Sequence, residues 1–275
     1  MSGAPLPAAP GAPSDIGPPV EIERRNARTA IETLLRGRIR GRRTAGKDLV
    51  ATVALDLGDA GEWTLKIDRG RMSLAPDRVR RPDTTIQTDA VTLADIVSGS
   101  RAGVEAFLSG DLRVRGNLAL SLRLDDLFGR PDRPARYPRA RTVRAGGLST
   151  FILEAGKGPP VVLLHGLGAT NASLLPTLWD LAVDHRVIAP DLPGFGESGK
   201  PIRRYDAPFY ARWLLAFLDE LGIERAHLVG NSMGGRVAIE TALLAQHRVD
   251  RMVLLAPSPA FIRRREFVRV VRLLR

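Results

Sequence analysis

The chain has 275 residues, 44% of them hydrophobic, and a net charge of +11. That length accommodates two packed domains of ordinary size, and the absence of cysteine excludes disulfides and thiolate metal sites. Lysine occurs only at positions 47, 66, 157 and 200, so the basic excess is nearly all arginine, and basic charge alone does not establish a nucleic-acid role.

The opening MSGAPLPAAPGAPSDIGPP has neither a basic start nor an apolar segment of signal-peptide type, so residues 1–20 read as a disordered Pro/Ala/Gly arm. No apolar run approaches the roughly 20 residues that span a bilayer. A cytoplasmic protein is expected.

From residue 21 a helix is predicted in which Ala27, Ile31, Leu34 or Leu35, and Ile39 share a face opposite Arg24, Arg25, Arg28 and Arg36. The period then changes to two. Leu49, Ala51, Val53, Leu55 and Leu57 alternate as a strand, and Trp63, Leu65 and Ile67 form a second that turns at Asp68-Arg69-Gly70 toward Met72 and Leu74. Thr84 to Thr88 reads as a strand, Val91–Val97 and Gly103–Leu108 as helices, Leu112–Arg115 as a short strand, and NLALSLRLDDLF as a closing helix. The order and spacing of GEWTLKIDRGRMSLAP, PDTTIQTD and AFLSGDLRVRGN resemble the sterol-carrier-protein-2 family across residues 21–128. The resemblance implies an α+β domain of five strands backed by helices, with an apolar tunnel for acyl chains or sterols.

Pro131, Pro134 and Pro138 break regular structure, so residues 129–145 are expected as a linker. Residues 146–275 are expected as the second domain. There strands and helices alternate: PVVLLHG, a helix near Ala172–Ala182, RVIAPD, a helix from Ala207 to Leu221, RAHLVG, a helix after Ser232, and RMVLLAP. This is the pattern of an α/β fold with a doubly wound, mostly parallel sheet, whose active sites lie at the carboxyl ends of the strands.

Three motifs fall at such ends. Gly230-Asn231-Ser232-Met233-Gly234-Gly235 is a G-x-S-x-G sequence between strand and helix, with Ser232 as the candidate nucleophile. His165-Gly166-Leu167-Gly168 begins 67 residues earlier. Backbone N–H groups of Leu167 and Met233 would converge on the oxyanion of an acyl intermediate. His165 itself is expected to orient its loop rather than act as base. Asp191, which opens DLPGFGES, is expected to hold a structural loop.

Together HGLGAT, DLPGFGESGKP and GNSMGG resemble the α/β-hydrolase superfamily. The resemblance implies a serine hydrolase that needs no cofactor and acts on an ester or thioester, with a small-molecule acyl or lipid substrate. Carbon–carbon bond hydrolysis of a diketone is the alternative, and a non-catalytic lipid carrier is the competing class. In this superfamily the acid and the histidine follow the nucleophile, yet only 43 residues follow Ser232. The sole later histidine, His247, lies in a helix-to-strand connection, and the acids after His247 are Asp250 and Glu266. The catalytic acid and histidine are therefore expected to be missing from this chain, which would end within a cap and leave RMVLLAP as an uncovered sheet edge.

The basic stretches 36–43 and 263–275 border apolar residues, and 36–43 has no interleaved aromatic for base stacking, so peripheral contact with anionic membrane is expected and nucleic acid is not. Four histidines, 165, 185, 227 and 247, offer no pair at helical ligand spacing, and no metal is expected.

Overall fold

The computed structural model describes residues 27–39, 49–69, 71–117, 120–122 and 135–259. The N-terminal arm, Arg40–Arg43, most of the expected closing helix and the C-terminal basic segment lie outside the described residues. Two compact units are present, the first holding the described residues up to Asn117 and the second residues 120–122 together with those from 135 onward.

The first unit contains α1 (Ala27–Ile39), β1 (Val50–Asp56), β2 (Glu62–Asp68), β3 (Arg71–Ala75), β4 (Thr84–Gln87), α2 (Ala90–Ser98), α3 (Gly103–Ser109) and β5 (Arg113–Gly116). Its five strands run in the order β3-β2-β1-β4-β5. β1 is antiparallel to β2 and parallel to β4. Alternation sets which face is buried: Ala51, Val53 and Leu55 stand opposite Ile67, Leu65 and Trp63, and all six are buried. Helix α1 buries Ile31 and Leu35 completely, each worth about 1.5–3 kcal/mol of apolar transfer. Asp89 caps α2 by accepting the Thr92 N–H at 2.8 Å, and Gly99, at φ +95°, ends it in the left-handed conformation that favours glycine.

The second unit contains β6 (Arg139–Ala145), β7 (Leu148–Ala155), β8 (Pro160–Leu164), α4 (Leu175–Leu181), β9 (Arg186–Pro190), α5 (Ala207–Glu220), β10 (Ala226–Asn231), α6 (Met233–Leu244) and β11 (Val249–Leu255). Its strand order is β11-β10-β8-β9-β7-β6. The four strands β8 to β11 are parallel, and β6 and β7 add an antiparallel hairpin against β9. Val161 to Leu164 are all buried, as expected of a central parallel strand covered on both faces. Asp206 caps α5, which packs Tyr210, Trp213, Leu214 and Phe217 into the core.

One boundary needs correction. The expected linker 129–145 gives way to β6 over Arg139–Ala145, so the sheet of the second unit starts before residue 146. β6 is the outermost strand, with only Val143 and Ala145 buried and its arginines in solvent, so it lacks the apolar alternation that marks a strand in sequence. At the opposite edge, β11 leaves Met252, Val253 and Leu255 exposed, as the reading of RMVLLAP as an uncovered edge requires. Among the described residues no helix is long and apolar enough to cross a membrane.

Candidate active site

After β8 the chain crosses to β9 on one side and then returns to β10 on the other. This reversal opens a crevice at the carboxyl ends of the strands, where ligands bind in open α/β sheets. The three sequence motifs converge on that edge, one after each of β8, β9 and β10.

Ser232 occupies the turn from β10 into α6 with φ +49° and ψ −109°, a strained conformation for a residue bearing a Cβ. Surrounding contacts hold it there. Its N–H donates to the Leu255 carbonyl at 2.9 Å, and its own carbonyl accepts the Ser258 N–H at 2.8 Å. Such a turn leaves no room for side chains at the neighbouring glycines. A Cβ on Gly230 would lie 2.5 Å from the Gly234 backbone, and one on Gly234 only 2.2 Å from the Leu164 carbonyl oxygen. The strand-to-helix approach is thus set by backbone contact, which accounts for both glycines of the motif.

Gly230 pairs with Leu164 in the parallel register of β10 and β8. Met233 and Leu167 each lie three residues beyond that pair, so the two expected oxyanion donors leave the sheet from matched positions. A Cβ on Gly166 would meet the Ser232 Cβ at 3.5 Å, which brings the His-Gly loop into contact distance of the Ser232 turn. Met233 opens α6, and the first intrahelical bond is made by the Arg236 N–H to the Ser232 carbonyl. The N–H groups before it point out of the helix N-terminus, as an oxyanion site requires. Met233 is buried, whereas the Leu167 side chain is exposed at the rim.

His165 is completely buried. Its Nδ1 lies 2.8 Å from the Gly166 carbonyl, and its Nε2 accepts the Leu192 N–H at 2.9 Å. These partners fix the neutral tautomer with the proton on Nδ1. Burial pushes the imidazole below its ordinary value, outweighing the opposite pull of the Gly166 carbonyl and Asp191. With both nitrogens engaged, His165 ties the β8 loop to the β9 loop and has no lone pair left for Ser232.

Asp191 does the corresponding work after β9. Oδ1 accepts the Asn171 N–H at 2.7 Å and Oδ2 accepts the Glu197 N–H at 2.8 Å. Burial raises its carboxyl above the usual range, opposed by these two donors. Ser198 extends the lock, donating to the Asp191 carbonyl at 2.7 Å and accepting the Phe151 N–H at 2.9 Å. Asp191 is therefore a loop anchor, as the sequence suggests.

Comparison with known proteins matches residues 159–271 to the alpha/beta hydrolase fold and residues 31–129 to the SCP-2 sterol transfer family. The chain joins an SCP-2 domain to an α/β-hydrolase domain. A similar protein is the dihydrolipoyllysine-residue acetyltransferase component of the acetoin cleaving system of Pseudomonas putida, 43% identical over 45% of this chain and 34% of its own length. Another is 2-hydroxy-6-oxo-2,4-heptadienoate hydrolase of Pseudomonas putida, 40% identical over 42% of this chain and 43% of its own. Among solved structures, a meta-cleavage product hydrolase from Pseudomonas fluorescens IP01 is 40% identical with a TM-score of 0.40, over 41% of this chain and 43% of that one. The chain spans less than half the length of each of these proteins.

The remaining three histidines of the α/β-hydrolase domain sit at the other edge of its sheet. His227 is the second residue of β10 and five residues before Ser232, a separation of about 16 Å along a strand. His247 precedes β11 and His185 precedes β9, so both mark strand starts. The fold brings His185 and His227 together, with ring centroids 6.1 Å apart, which their sequence spacing did not reveal. Asp184 pairs with His185. Asp250 lies 3.2 Å from His227 Nδ1 without the alignment of a hydrogen bond. Among the described residues no group of three or more such side chains is arranged to hold a metal ion.

Proposed function

We propose that Ser232 is the nucleophile of a serine hydrolase acting on the ester or thioester bond of an acyl lipid. The observation that carries this reading is the strained serine turn at the carboxyl edge of β10, beside the His-Gly loop. The Ser232 Oγ attacks the acyl carbon while its proton passes to a base. The N–H groups of Leu167 and Met233 hold the resulting oxyanion. Collapse expels the alcohol or thiol and leaves an acyl-serine, which water then hydrolyses.

None of the chain's four histidines suits the role of base: His165 is engaged at both nitrogens, and the other three lie at the far edge of the sheet. The reading assigns proton acceptance to a group outside these 275 residues, on a further segment or a second chain. A serine hydroxyl lacking its base retains only a small part of the catalytic rate. A fluorophosphonate probe followed by peptide mapping tests both parts. The expected outcome is slow labelling at Ser232 that accelerates with added imidazole as a surrogate base and vanishes in Ser232→Ala. Rapid imidazole-independent labelling at Ser232 refutes the missing base, and labelling no greater than in Ser232→Ala refutes the nucleophile.

The second reading, hydrolysis of a carbon–carbon bond in a diketone, is favoured by the 40% identity to the heptadienoate hydrolase. Product analysis of base-supplemented protein with an acyl ester and with a dienoate diketone separates the two. In either reading the SCP-2 domain serves as an acyl-lipid carrier, supported by the continuous apolar face that β1 and β2 share.

A further inference from the structure

Trp63 is the second residue of β2 and faces the same side of the sheet as Leu65 and Ile67, opposite Leu55 of β1. It is completely buried, yet among the described residues its indole Nε1–H finds no acceptor. Buried N–H groups are almost always paired, because an unpaired donor loses its hydration and receives nothing in return. The contrast within the chain is direct: Trp213, also buried, donates its Nε1–H to Thr150 Oγ1 at 3.3 Å.

The surroundings of Trp63 explain why the described residues supply no partner. Val53, Leu55, Leu65 and Ile67 on this face are apolar, and the sheet hydrogen bonds occupy the backbone carbonyls. Thr84 of β4 stands opposite Val53 and donates its hydroxyl to the Arg115 carbonyl, without accepting the indole N–H. At one side of the indole lies the exposed Arg28 of α1, its guanidinium carbon 5.4 Å from the ring centroid. Gly61 makes room for this group: a Cβ there would stand 2.8 Å from Arg28 Nη1. The apolar face thus carries an unsatisfied buried donor next to a cation that reaches solvent.

We propose that the Trp63 indole N–H is the polar anchor of a lipid site in the SCP-2 domain, donating a hydrogen bond to the carbonyl or carboxylate oxygen of an acyl chain laid along the sheet face. The proposal rests on the reading of this domain as an acyl-lipid carrier. An acceptor oxygen on an apolar tail satisfies the donor without placing another polar group in the core. Arg28 adds attraction for a free carboxylate that it does not add for an ester, so the two sources of the same oxygen differ in affinity.

The test uses the full chain labelled with 15N-tryptophan, whose three indole resonances belong to Trp63, Trp179 and Trp213. Trp63→Phe assigns the first, and Trp179→Phe with Trp213→Phe assigns it by elimination if Trp63→Phe fails to fold. Titrations with a long-chain fatty acid, its methyl ester and an alkane of equal length should bind saturably. The Trp63 indole proton should move downfield with the acid and the ester and stay in place with the alkane. Trp63→Phe should weaken the two oxygenated ligands about three- to tenfold and leave the alkane unchanged. Saturable binding of the acid with an unmoved Trp63 resonance overturns the anchor and leaves the carrier reading standing. Failure of all three lipids to bind saturably overturns both.

Discussion

His165 gives the clearest test of how the site is held. In His165→Ala the fully buried Leu192 N–H loses its acceptor, a loss of about 1–3 kcal/mol. Replacing a buried ring by a methyl also leaves a void, and ring-to-alanine changes in cores cost about 3–5 kcal/mol. The two terms overlap, so the expected destabilisation of the α/β-hydrolase domain is about 3–5 kcal/mol. His165→Gln restores an acceptor and should cost about 1 kcal/mol. The pH dependence carries the sign. Burial holds the folded imidazole below its ordinary value of 6.5, so below that pH the unfolded chain binds more protons than the folded one. Stability therefore falls as pH drops below 6.5, by at most about 1.4 kcal/mol per pH unit, until the folded imidazole is itself protonated. Above 6.5 this contribution is constant. Urea unfolding read by hydrogen exchange of β8 peptides follows this domain separately from the SCP-2 domain. The wild-type curve minus that of His165→Gln should slope between pH 5 and 6.5 and flatten above 7. A flat difference throughout, or an alanine variant as stable as wild type, refutes a buried neutral His165 bridging the two loops.

Three further substitutions probe local packing in the two units. Gly234→Ala drives a methyl to 2.2 Å from the Leu164 carbonyl oxygen in the central strand and should destabilise the domain by about 3 kcal/mol. Gly37→Ala, in α1 with nothing within 4 Å of the added Cβ, should instead stabilise by about 0.5–1 kcal/mol; thermal melts with domain-resolved exchange compare the two. Asp191→Asn turns one of two acceptors into a donor facing the N–H of Asn171 or Glu197. It should cost about 1–3 kcal/mol and remove exchange protection from residues 194–198, whereas unchanged protection there would mean that Asp191 does not hold the loop.

What could be read from sequence depended on which physical signal each element carries. β8 and β9 carry apolar runs at Val161–Leu164 and Val187–Pro190, β10 is apolar at Ala226, Leu228 and Val229, and each is followed by a glycine-bearing loop, so both the strands and the motif positions were legible. β6 and β7 carry a different signal. β6 reads RARTVRA because an outer strand keeps charge toward solvent, and β7 buries Phe151, Ile152 and Leu153 in succession rather than in alternation. The usable clue was the turn between them, Gly146-Gly147, with φ +54° and +78°, a glycine pair typical of two-residue hairpins.

The histidines illustrate a deeper limit and a way past it. Ring contact between His185 and His227 depends on the strand order β10-β8-β9, a property of the assembled sheet that no local pattern encodes. Which edge of the sheet a residue occupies is easier to infer, because all strand starts in a parallel sheet share one edge and all strand ends the other. His185, His227 and His247 fall at strand starts, and Ser232 at a strand end. The inability of these three to serve Ser232 therefore follows from chain direction alone. His165 shares the serine's edge, so only its hydrogen bonds to Gly166 and Leu192 exclude it. That exclusion required the fold, since Leu192 enters from a strand that the sequence places 27 residues away.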